Sequence, residues 1–556
     1  MFPSIPSKND FQSPGVVFQP ETFQGLLEGI NYLARAIQPT LGPLPRLVAV
    51  EATPSRSRTP EILDSGGTIA RRIIEIEGRN ADMGAMFMRH MLWKLQEKAG
   101  DGTATAAVIF HTLFKGGVRY VTAGGNAMLL RRYLEQGLRL VLDELSSQTV
   151  LLDADGGTAI RKDRLSGLAE SICGDAELAG YLGEIFDIIG AFGRLEVRPG
   201  SGRQFKREYV EGIYWENGLH SRNMLDDPLA ARSTIENAAV VISNLDVIEP
   251  EDMVHVLEVG LQAGAGGVLL IASSVSDRAL SVALMKPNRE KIKVLAVKTP
   301  GVAVSAQENA LLDLAALTGG RPLQKATLDT IQGLKAADLG RARRIYAGMD
   351  YFNVIGGKGS PRQFREHVRG LQDGYRNAQE TDARLTLQMR IGQLMGGSAT
   401  LYTGGLTQTE CEVRKVTAER TATVIRNAML EGVVPGGGVA LLAARTRLAQ
   451  ARLRARDDDE KAAYTLLLEA VEAPFRALLA NAGLDSGQIM ARLAKTRAGV
   501  GFNLKTGKLE NMNEAGIVDP AYVLKEAVLS AIGSAALLLT TDVLVHVRNP
   551  PEEIQT

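Results

Sequence analysis

The 556-residue chain has few thiols: Cys173 and Cys411 are its two cysteines, and they lie far apart. Such a pair does not build a disulfide scaffold, so we expect a reducing compartment and a cytoplasmic protein. The chain also lacks net charge, because 63 basic side chains cancel 63 acidic ones. Without a bulk electrostatic field, we expect neither nucleic acid nor a membrane surface as a partner.

Long apolar runs are missing too, and we expect no secretory leader. The longest apolar run, AVLSAIGSAALLL at residues 527–539, is shorter than the ~20 residues of a membrane span, so it predicts a buried helix. The first residues, MFPSIPSKNDFQ, lack the basic and then apolar pattern of a secretory signal. The six histidines are scattered without metal-ligand spacing, which disfavours a histidine-based metal centre.

Periodic apolar positions divide the chain into helical ends and an α/β middle. In the middle, short β-rich runs alternate with helical segments, from AAVVISNLDVI at 238–248 to RRIYAGMDYFNVIGG at 343–357. An α/β domain is therefore predicted to be inserted into a helical domain. Helical spacing is found at residues 22–37, 80–99, 126–147, 460–482 and 522–539.

The stretch AGDGTATAAV at residues 99–108 lies where one predicted helix ends and another begins. A helix N-terminus offers free amides, Thr103 and Thr105 add hydroxyls, and Asp101 adds a carboxylate for a hard cation. This set suits a polyphosphate with Mg²⁺. Helix capping by Asp and Thr, with no ligand, is the alternative interpretation.

Three other stretches support the nucleotide interpretation. PTLGP at 39–43 is a glycine turn with a hydroxyl, GVVPGGGVAL at 432–441 is a triple-glycine turn that opens a helix, and GIVDP at 516–520 carries a second acid. Together they predict a nucleotide pocket without the usual phosphate loop. GGKGS at 356–360 lacks that loop's spacing and is predicted to close a hairpin instead.

Two stretches of the α/β region carry more apolar residues than a core-facing helix needs. They are EDMVHVLEVGLQAG at 251–264 and DRALSVALMK at 277–286, whose apolar positions spread over more than one face. Side by side, two such helices would form an apolar groove for unfolded chains or for an apolar loop of a partner. The alternative is that both helices are simply buried.

In their order along the chain, TLGP, GDGTATAAV, EGVVPGGGVALL and GIVDPAYVLKEAVLSAIGSAALLLTTDVLV resemble the group I chaperonins of the GroEL type. The resemblance extends from about residue 20 to about residue 547. It implies a multidomain α and α/β fold with a helical equatorial domain, a small intermediate domain and an inserted α/β apical domain. The implied bounds are 1–147 and 431–556 (equatorial), 148–210 and 399–430 (intermediate), and 211–398 (apical).

The resemblance also implies the ligands and the assembly. ATP and Mg²⁺ would be the cofactors, and unfolded polypeptides would be the clients. The subunits would form a seven-membered ring, single or double, made of this chain alone or mixed with a paralogue. A lid-like co-chaperonin is a further implied partner.

The resemblance assigns site residues position by position. Asp101 corresponds to the family's Mg²⁺ ligand, and the other positions contact phosphate, ribose or base. The implied nucleotide set is Thr40, Leu41, Gly42, Pro43, Asp101, Gly102, Thr103, Ala104, Thr105, Gly436, Gly437, Asn503, Ile517 and Asp519. The implied polypeptide set is Leu219, Met224, Val254, Leu257, Leu280, Leu284 and Met285.

Two positions that handle water in the family have no carboxylate in this chain. The family's KDG turn is DSG here, so Asp64 stands for a lysine and Ser65 for a catalytic aspartate. The family's second catalytic aspartate aligns with Arg420. Because activation of water needs a well-placed acceptor, we expect ATP hydrolysis to be slow or absent.

Alternatives to this expectation remain open. Asp64 lies one residue before Ser65, and Glu419 lies one residue before Arg420. In an active ATPase these two carboxylates would act from displaced positions, although a step of one residue rotates a helical side chain by ~100°. A nucleotide-binding holdase or mixed-ring subunit without turnover is the second alternative, and an unrelated α/β nucleotide enzyme is the third. For Arg420 we hypothesise a contact with Asp64 or the terminal phosphate, against the alternative that it extends into solvent.

Overall fold

The computed structural model describes residues 15–43, 46–51, 61–63, 65–152, 158–200, 202–210, 212–226, 231–378, 380–395 and 397–546. The chain forms two compact units. Unit 1 comprises Met1–Glu184 and Val416–Thr556, and unit 2 comprises Ile185–Lys415. The predicted bounds of three separate domains are finer than this division and stay a prediction.

The helices of the described residues range in length from 6 to 24 residues. In chain order they are α1 (Glu21–Ile37), α2 (Gly66–Arg72), α3 (Arg79–Ala99), α4 (Thr103–Thr122), α5 (Ala127–Ser147), α6 (Thr158–Cys173), α7 (Ala176–Ile189), α8 (Pro250–Gln262), α9 (Asp277–Leu284), α10 (Lys286–Lys291), α11 (Val304–Thr318), α12 (Pro361–Asn377), α13 (Thr381–Met395), α14 (Gln408–Glu431), α15 (Val439–Leu453), α16 (Asp458–Asn481), α17 (Ser486–Leu493) and α18 (Ala521–Leu538).

The strands of the described residues are mostly short. In chain order they are β1 (Gly15–Val17), β2 (Val48–Val50), β3 (Glu61–Leu63), β4 (Arg194–Pro199), β5 (Lys206–Val210), β6 (Ile213–Glu216), β7 (Arg232–Val241), β8 (Asp246–Val247), β9 (Gly267–Ala272), β10 (Ser274–Val275), β11 (Lys293–Lys298), β12 (Gly340–Gly348), β13 (Tyr351–Gly357), β14 (Ser398–Thr403), β15 (Val433–Pro435), β16 (Val500–Asn503), β17 (Lys508–Asn511), β18 (Val518–Pro520) and β19 (Leu544–His546).

Unit 1 is a helical layer around one apolar core. The five stretches with helical spacing are confirmed as α1, α3, α5, α16 and α18. Helices α1 and α3 cross closely because Gly29 and Gly84 lie at their contact, where a Cβ would collide with the carbonyls of Ala81 and Leu26. Stacked Phe110 and Phe114, whose ring centroids are 6.1 Å apart, lie in the core between these helices and α18.

Helix α18 has the length and composition of a membrane span, with a mean hydropathy of 1.5. It is the one such helix among the residues that the structure describes. Its inward positions, including Val528, Ile532 and Ala535, are fully buried in the core of unit 1. The prediction of a buried core helix is therefore confirmed.

Unit 2 is built on a six-stranded sheet with the order β11-β9-β7-β12-β13-β6. The first three strands are parallel, and the remaining pairs are antiparallel. Strand β9 is buried at every residue, as expected for a central parallel strand covered on both faces. A second sheet has the order β4-β14-β5. The predicted α/β character of the middle of the chain is confirmed.

The prediction that GGKGS at 356–360 closes a hairpin is wrong. The hairpin of β12 and β13 turns at Met349 and Asp350, and β13 continues to Gly357 before α12 begins at Pro361. Gly357 is required by close packing, since a Cβ there would lie 2.5 Å from the Leu317 carbonyl oxygen. These glycines therefore indicate that β13 lies close to α11, and they do not indicate a turn.

Candidate functional site

The corner between α3 and α4 carries the stretch AGDGT. Gly100 (φ +79°) ends α3 and Gly102 (φ +86°) precedes α4, so both adopt the left-handed backbone that favours glycine. Gly102 also packs on α18, because a Cβ there would lie 2.9 Å from Val523 Cγ1. Gly102 is the N-cap residue of α4 and makes no side-chain capping bond. Neither Asp101 nor Thr103 therefore occupies the N-cap position of α4.

The start of α2 packs against the same corner. Ser65 occupies the N-cap position of α2 without a side-chain capping bond. A Cβ at Gly66 would lie 3.2 Å from Thr103 Oγ1 and 3.5 Å from the Ala104 amide nitrogen. The structure thus brings Ser65, Thr103 and Ala104 into one neighbourhood, whereas Asp64 lies outside the described residues.

The first glycine turn, residues 38–43, follows α1. Thr40 is buried, and its hydroxyl donates to the Ile37 carbonyl at 2.8 Å. Gly42 has φ +120°. The side chain of Asn481 donates through Nδ2 to the carbonyls of Gln38 and Leu41, at 2.9 Å each. Asn481 was not among the residues that the motifs predicted, because it belongs to no glycine turn.

The second glycine turn meets GIVDP through a short sheet. Strands β15 and β18 pair antiparallel, with Val434 opposite Asp519. Beyond the pair, the Gly436 amide donates to the Ile517 carbonyl at 2.9 Å. Gly437 has φ +64° and Gly438, which precedes α15, has φ +77°. Two motifs that lie far apart in the sequence therefore form one element.

One acid of the motifs acts on the other. Burial, together with the negative charge of Asp101, raises the pKa of Asp519 to about 7. Two such carboxylates are hard oxygen donors and fit Mg²⁺, which takes few protein ligands and completes its shell with phosphate and water. In the described part of the chain no group of three His, Cys, Asp or Glu side chains is placed to hold a metal ion.

Asn503 is buried in the hairpin of β16 and β17. Its Nδ2 donates to Glu510 Oε2 at 3.0 Å, and its Oδ1 accepts from the Lys505 amide at 2.9 Å. The same hairpin packs on the start of α15, where Gly501 contacts Val439. The hairpin thus lies beside the second glycine turn, and the predicted contact of Asn503 with the base stays a prediction.

The backbone of α14 lies against the corner between α3 and α4. A Cβ at Gly100 would lie 3.2 Å from the Arg420 carbonyl oxygen. The Arg420 guanidinium donates to the Ile172 carbonyl at 3.2 Å, near the C-terminus of α6, where a cation is favoured. Arg420 therefore does not extend into solvent. Its hypothesised contact with Asp64 stays a prediction.

The predicted polypeptide contacts in unit 2 differ in exposure. Helices α8 and α9 contact each other, as expected for a pair that forms a groove. Four predicted residues lie in the core: Leu219, Met224, Leu257 and Leu280 are at most 6% exposed. Val254 is 42% and Met285 is 53% exposed, and Leu284 is half-buried. The accessible part of the predicted surface is therefore Val254, Leu284 and Met285, to which exposed Leu261 is added.

A family model described as the TCP-1/cpn60 chaperonin family matches residues 33–549. The chain belongs to this chaperonin family. Among solved structures, it is similar to the chaperonin gp146 from bacteriophage EL 2 (Pseudomonas aeruginosa), determined in the presence of ATP-BeFx. In crystal form I the TM-score is 0.71 at 19% identity, over 96% of this chain and 99% of gp146. In crystal form II the TM-score is 0.63 with the same identity and coverage.

These comparisons confirm two predictions made from the sequence. The resemblance to 60 kDa chaperonins is borne out by a family match across nearly the whole chain. The multidomain α and α/β chaperonin fold is borne out by the structural match, which at 19% identity establishes the fold alone. A protein-folding role follows at the level of the family.

Proposed function

We propose that this chain is a ring-forming chaperonin subunit that binds ATP with Mg²⁺, captures unfolded polypeptides and hydrolyses ATP slowly. The observation that carries the proposal is the assembly of one corner from distant motifs of unit 1. There the negative charge of Asp101 acts on Asp519, and the Gly436 amide is hydrogen-bonded to the Ile517 carbonyl. The structurally similar gp146 was determined with ATP-BeFx, which supports a nucleotide as the ligand of this fold.

The chain's own groups supply complementary parts of such a site. The first turn of α4, whose N-cap residue is Gly102, offers amides to an anion, and the hydroxyls of Thr103 and Thr105 add donors. Asp101 would hold Mg²⁺, which neutralises phosphate charge when bound. Burial and the charge of Asp101 raise the pKa of Asp519 to about 7. A cation bound nearby would lower this pKa, so Asp519 would release its proton when the cation binds.

Slow hydrolysis follows from the groups at the two altered positions. Ser65 has a hydroxyl instead of a carboxylate, and Arg420 is a cation whose guanidinium donates to the Ile172 carbonyl. Neither group is a base for an attacking water. The corner is therefore better suited to holding ATP than to cleaving it.

Titration calorimetry with the full-length protein tests nucleotide binding. Replacing Asp101 by Ala should weaken MgATP binding by about tenfold or more. In excess EDTA, which removes Mg²⁺, the variant and the parent should bind ATP equally, because the carboxylate acts through the cation. Asp143→Ala, at an exposed acid on α5, is the matched control and should bind as the parent does. Equal MgATP affinity in the parent and in Asp101→Ala would refute the role of Asp101.

Phosphate release and electron microscopy separate the remaining versions of the proposal. A steady-state phosphate-release rate typical of an active folding ATPase would favour the displaced carboxylates Asp64 and Glu419 over slow turnover. Particle images would show whether the chain alone forms a ring, or whether a paralogue or a co-chaperonin is needed. A cytoplasmic location remains part of the proposal and rests on the two thiols.

A further inference from the structure

The first glycine turn, residues 38–43, rests on the C-terminal end of α16. Two side chains of that end contact the turn: Asn481 through its amide, and Leu478, whose Cδ2 would lie 2.9 Å from a Cβ at Gly42. The contact joins residues more than 430 positions apart in the sequence. It therefore fixes the N-terminal part of unit 1 against its C-terminal part.

The Asn481 amide is well suited to hold this turn. An asparagine NH₂ group has two N–H donors, and here each donor meets a different carbonyl, of Gln38 and of Leu41, at 2.9 Å. Arg46 closes the arrangement from the other side: its guanidinium donates to the Asn481 carbonyl at 3.0 Å, and its amide donates to the Pro39 carbonyl at 3.0 Å. The turn is thus fixed at three of its carbonyls.

The same side of α16 also supports the second glycine turn. A Cβ at Gly438 would lie 3.2 Å from Phe475 Cβ. Phe475, Leu478 and Asn481 are three residues apart, so they follow one another along one side of the helix. One helix side therefore sets the position of two turns that come from opposite halves of unit 1.

We propose that Asn481 is a positioning residue for the phosphate end of the nucleotide. The proposal rests on the proposed function and on the resemblance, which places Thr40 and Gly42 in the implied nucleotide set. Asn481 acts through the 38–43 turn and holds it in register with the turn at Gly438. A nucleotide that spans both turns then meets a preformed site.

The test uses Asn481→Asp in the full-length protein. Aspartate has the same shape but is an acceptor, so it loses both donors and places a negative charge against two carbonyls. The matched control is Asn288→Asp in unit 2, where Nδ2 donates to the Val282 carbonyl at 2.8 Å. Calorimetry measures MgATP and adenosine separately, because adenosine lacks phosphates. For Asn481→Asp we expect MgATP affinity to fall about tenfold and adenosine affinity to change less than about twofold.

Three outcomes overturn the proposal. Unchanged MgATP affinity in Asn481→Asp, with the parent binding normally, refutes the role of Asn481 and leaves the proposed function intact. An equal loss of adenosine affinity would show a general structural effect instead of phosphate positioning. Failure of the parent to bind either ligand refutes the proposed function and this proposal with it.

A second variant covers the case in which Asn481→Asp does not fold. Asn481→Ser retains one shorter donor and no charge, so it should fold and show a smaller loss of MgATP affinity. If Asn481→Ser binds MgATP like Asn288→Asp, the amide does not position the turn.

Discussion

The candidate nucleotide site of unit 1 and the α8–α9 surface of unit 2 differ in how closely they match the motifs that predicted them. In unit 1, stretches from Thr40 to Asp519 come together through glycine turns and a short sheet. In unit 2, four of the seven predicted contact residues are core residues, and the accessible ones are Val254, Leu284 and Met285. Turns defined by backbone conformation are thus easier to predict than the exposure of a helical side chain.

The physical reason lies in what each pattern determines. A glycine with positive φ, such as Gly102, is required by the conformation of its own backbone. This requirement does not depend on the elements that pack around it. The exposure of Leu257 on α8 depends on every element packed against that helix, which no local pattern contains. An apolar surplus predicts that some residues are exposed, and the fold decides which.

The largest expected effect comes from a pair of substitutions on α8. Leu257→Glu places a carboxylate in the core of unit 2 and should lower its free energy of unfolding by about 4 kcal/mol. Val254→Glu, at a 42% exposed position one turn away, should change it by less than about 0.5 kcal/mol and reduce capture of a denatured test protein.

Tryptophan fluorescence makes this comparison specific to unit 2. The chain has two tryptophans, and buried Trp215 lies in unit 2 while Trp93 lies in unit 1. In a Trp93→Phe background, denaturant curves therefore report unit 2 alone. Equal stability of the two glutamate variants would mean that Leu257 is not a core residue, and full capture activity of Val254→Glu would remove the α8 surface from the proposed function.

A smaller effect is expected from two glycines of unit 1. Gly102 and Gly124 both have positive φ, so alanine at either should cost about 1–2 kcal/mol. A Cβ at Gly124 meets open space, whereas one at Gly102 lies 2.9 Å from Val523 Cγ1, which should add about 1–3 kcal/mol. Denaturant unfolding followed at Trp93 measures the difference. If both alanines cost the same, the corner is not held against α18 as the structure has it.

Much of the fold and of the candidate site follows from the sequence, and the exceptions share a cause. An apolar pattern with helical spacing repeats over several turns in the long helices α1, α3, α5, α16 and α18. Such a repeat distinguishes a helix from a strand, which a short apolar run does not. Asn481 and the orientation of Arg420 were not predictable, because each side chain bonds a carbonyl that is distant in sequence. GGKGS was misread since its glycines serve packing against Leu317 instead of a turn.

The smallest expected effect is a pH dependence that differs between the units. Burial lowers the pKa of His111 on α4 and of His220 in unit 2, and nearby Lys115 and Lys298 lower these pKa values further. The folded state thus favours the neutral form of both imidazoles. Below the unfolded pKa of about 6.5 the unfolded chain binds protons that the folded chain does not, so the free energy of unfolding falls as pH falls and is constant above that pH.

Single-unit reporters resolve the two histidines. His111→Gln should reduce the loss of stability at acid pH that Trp93 fluorescence reports, and leave the loss reported by Trp215 unchanged. His220→Gln should reduce the loss reported by Trp215 and leave the loss reported by Trp93 unchanged. Gln retains a neutral hydrogen-bonding side chain at His111, whose Nε2 lies 2.6 Å from Asn31 Oδ1. An acid-side slope that persists in both variants would assign the protons to other groups. A slope that vanishes at both reporters after one substitution would show that the two units unfold together, and the comparison between them would then describe one cooperative structure.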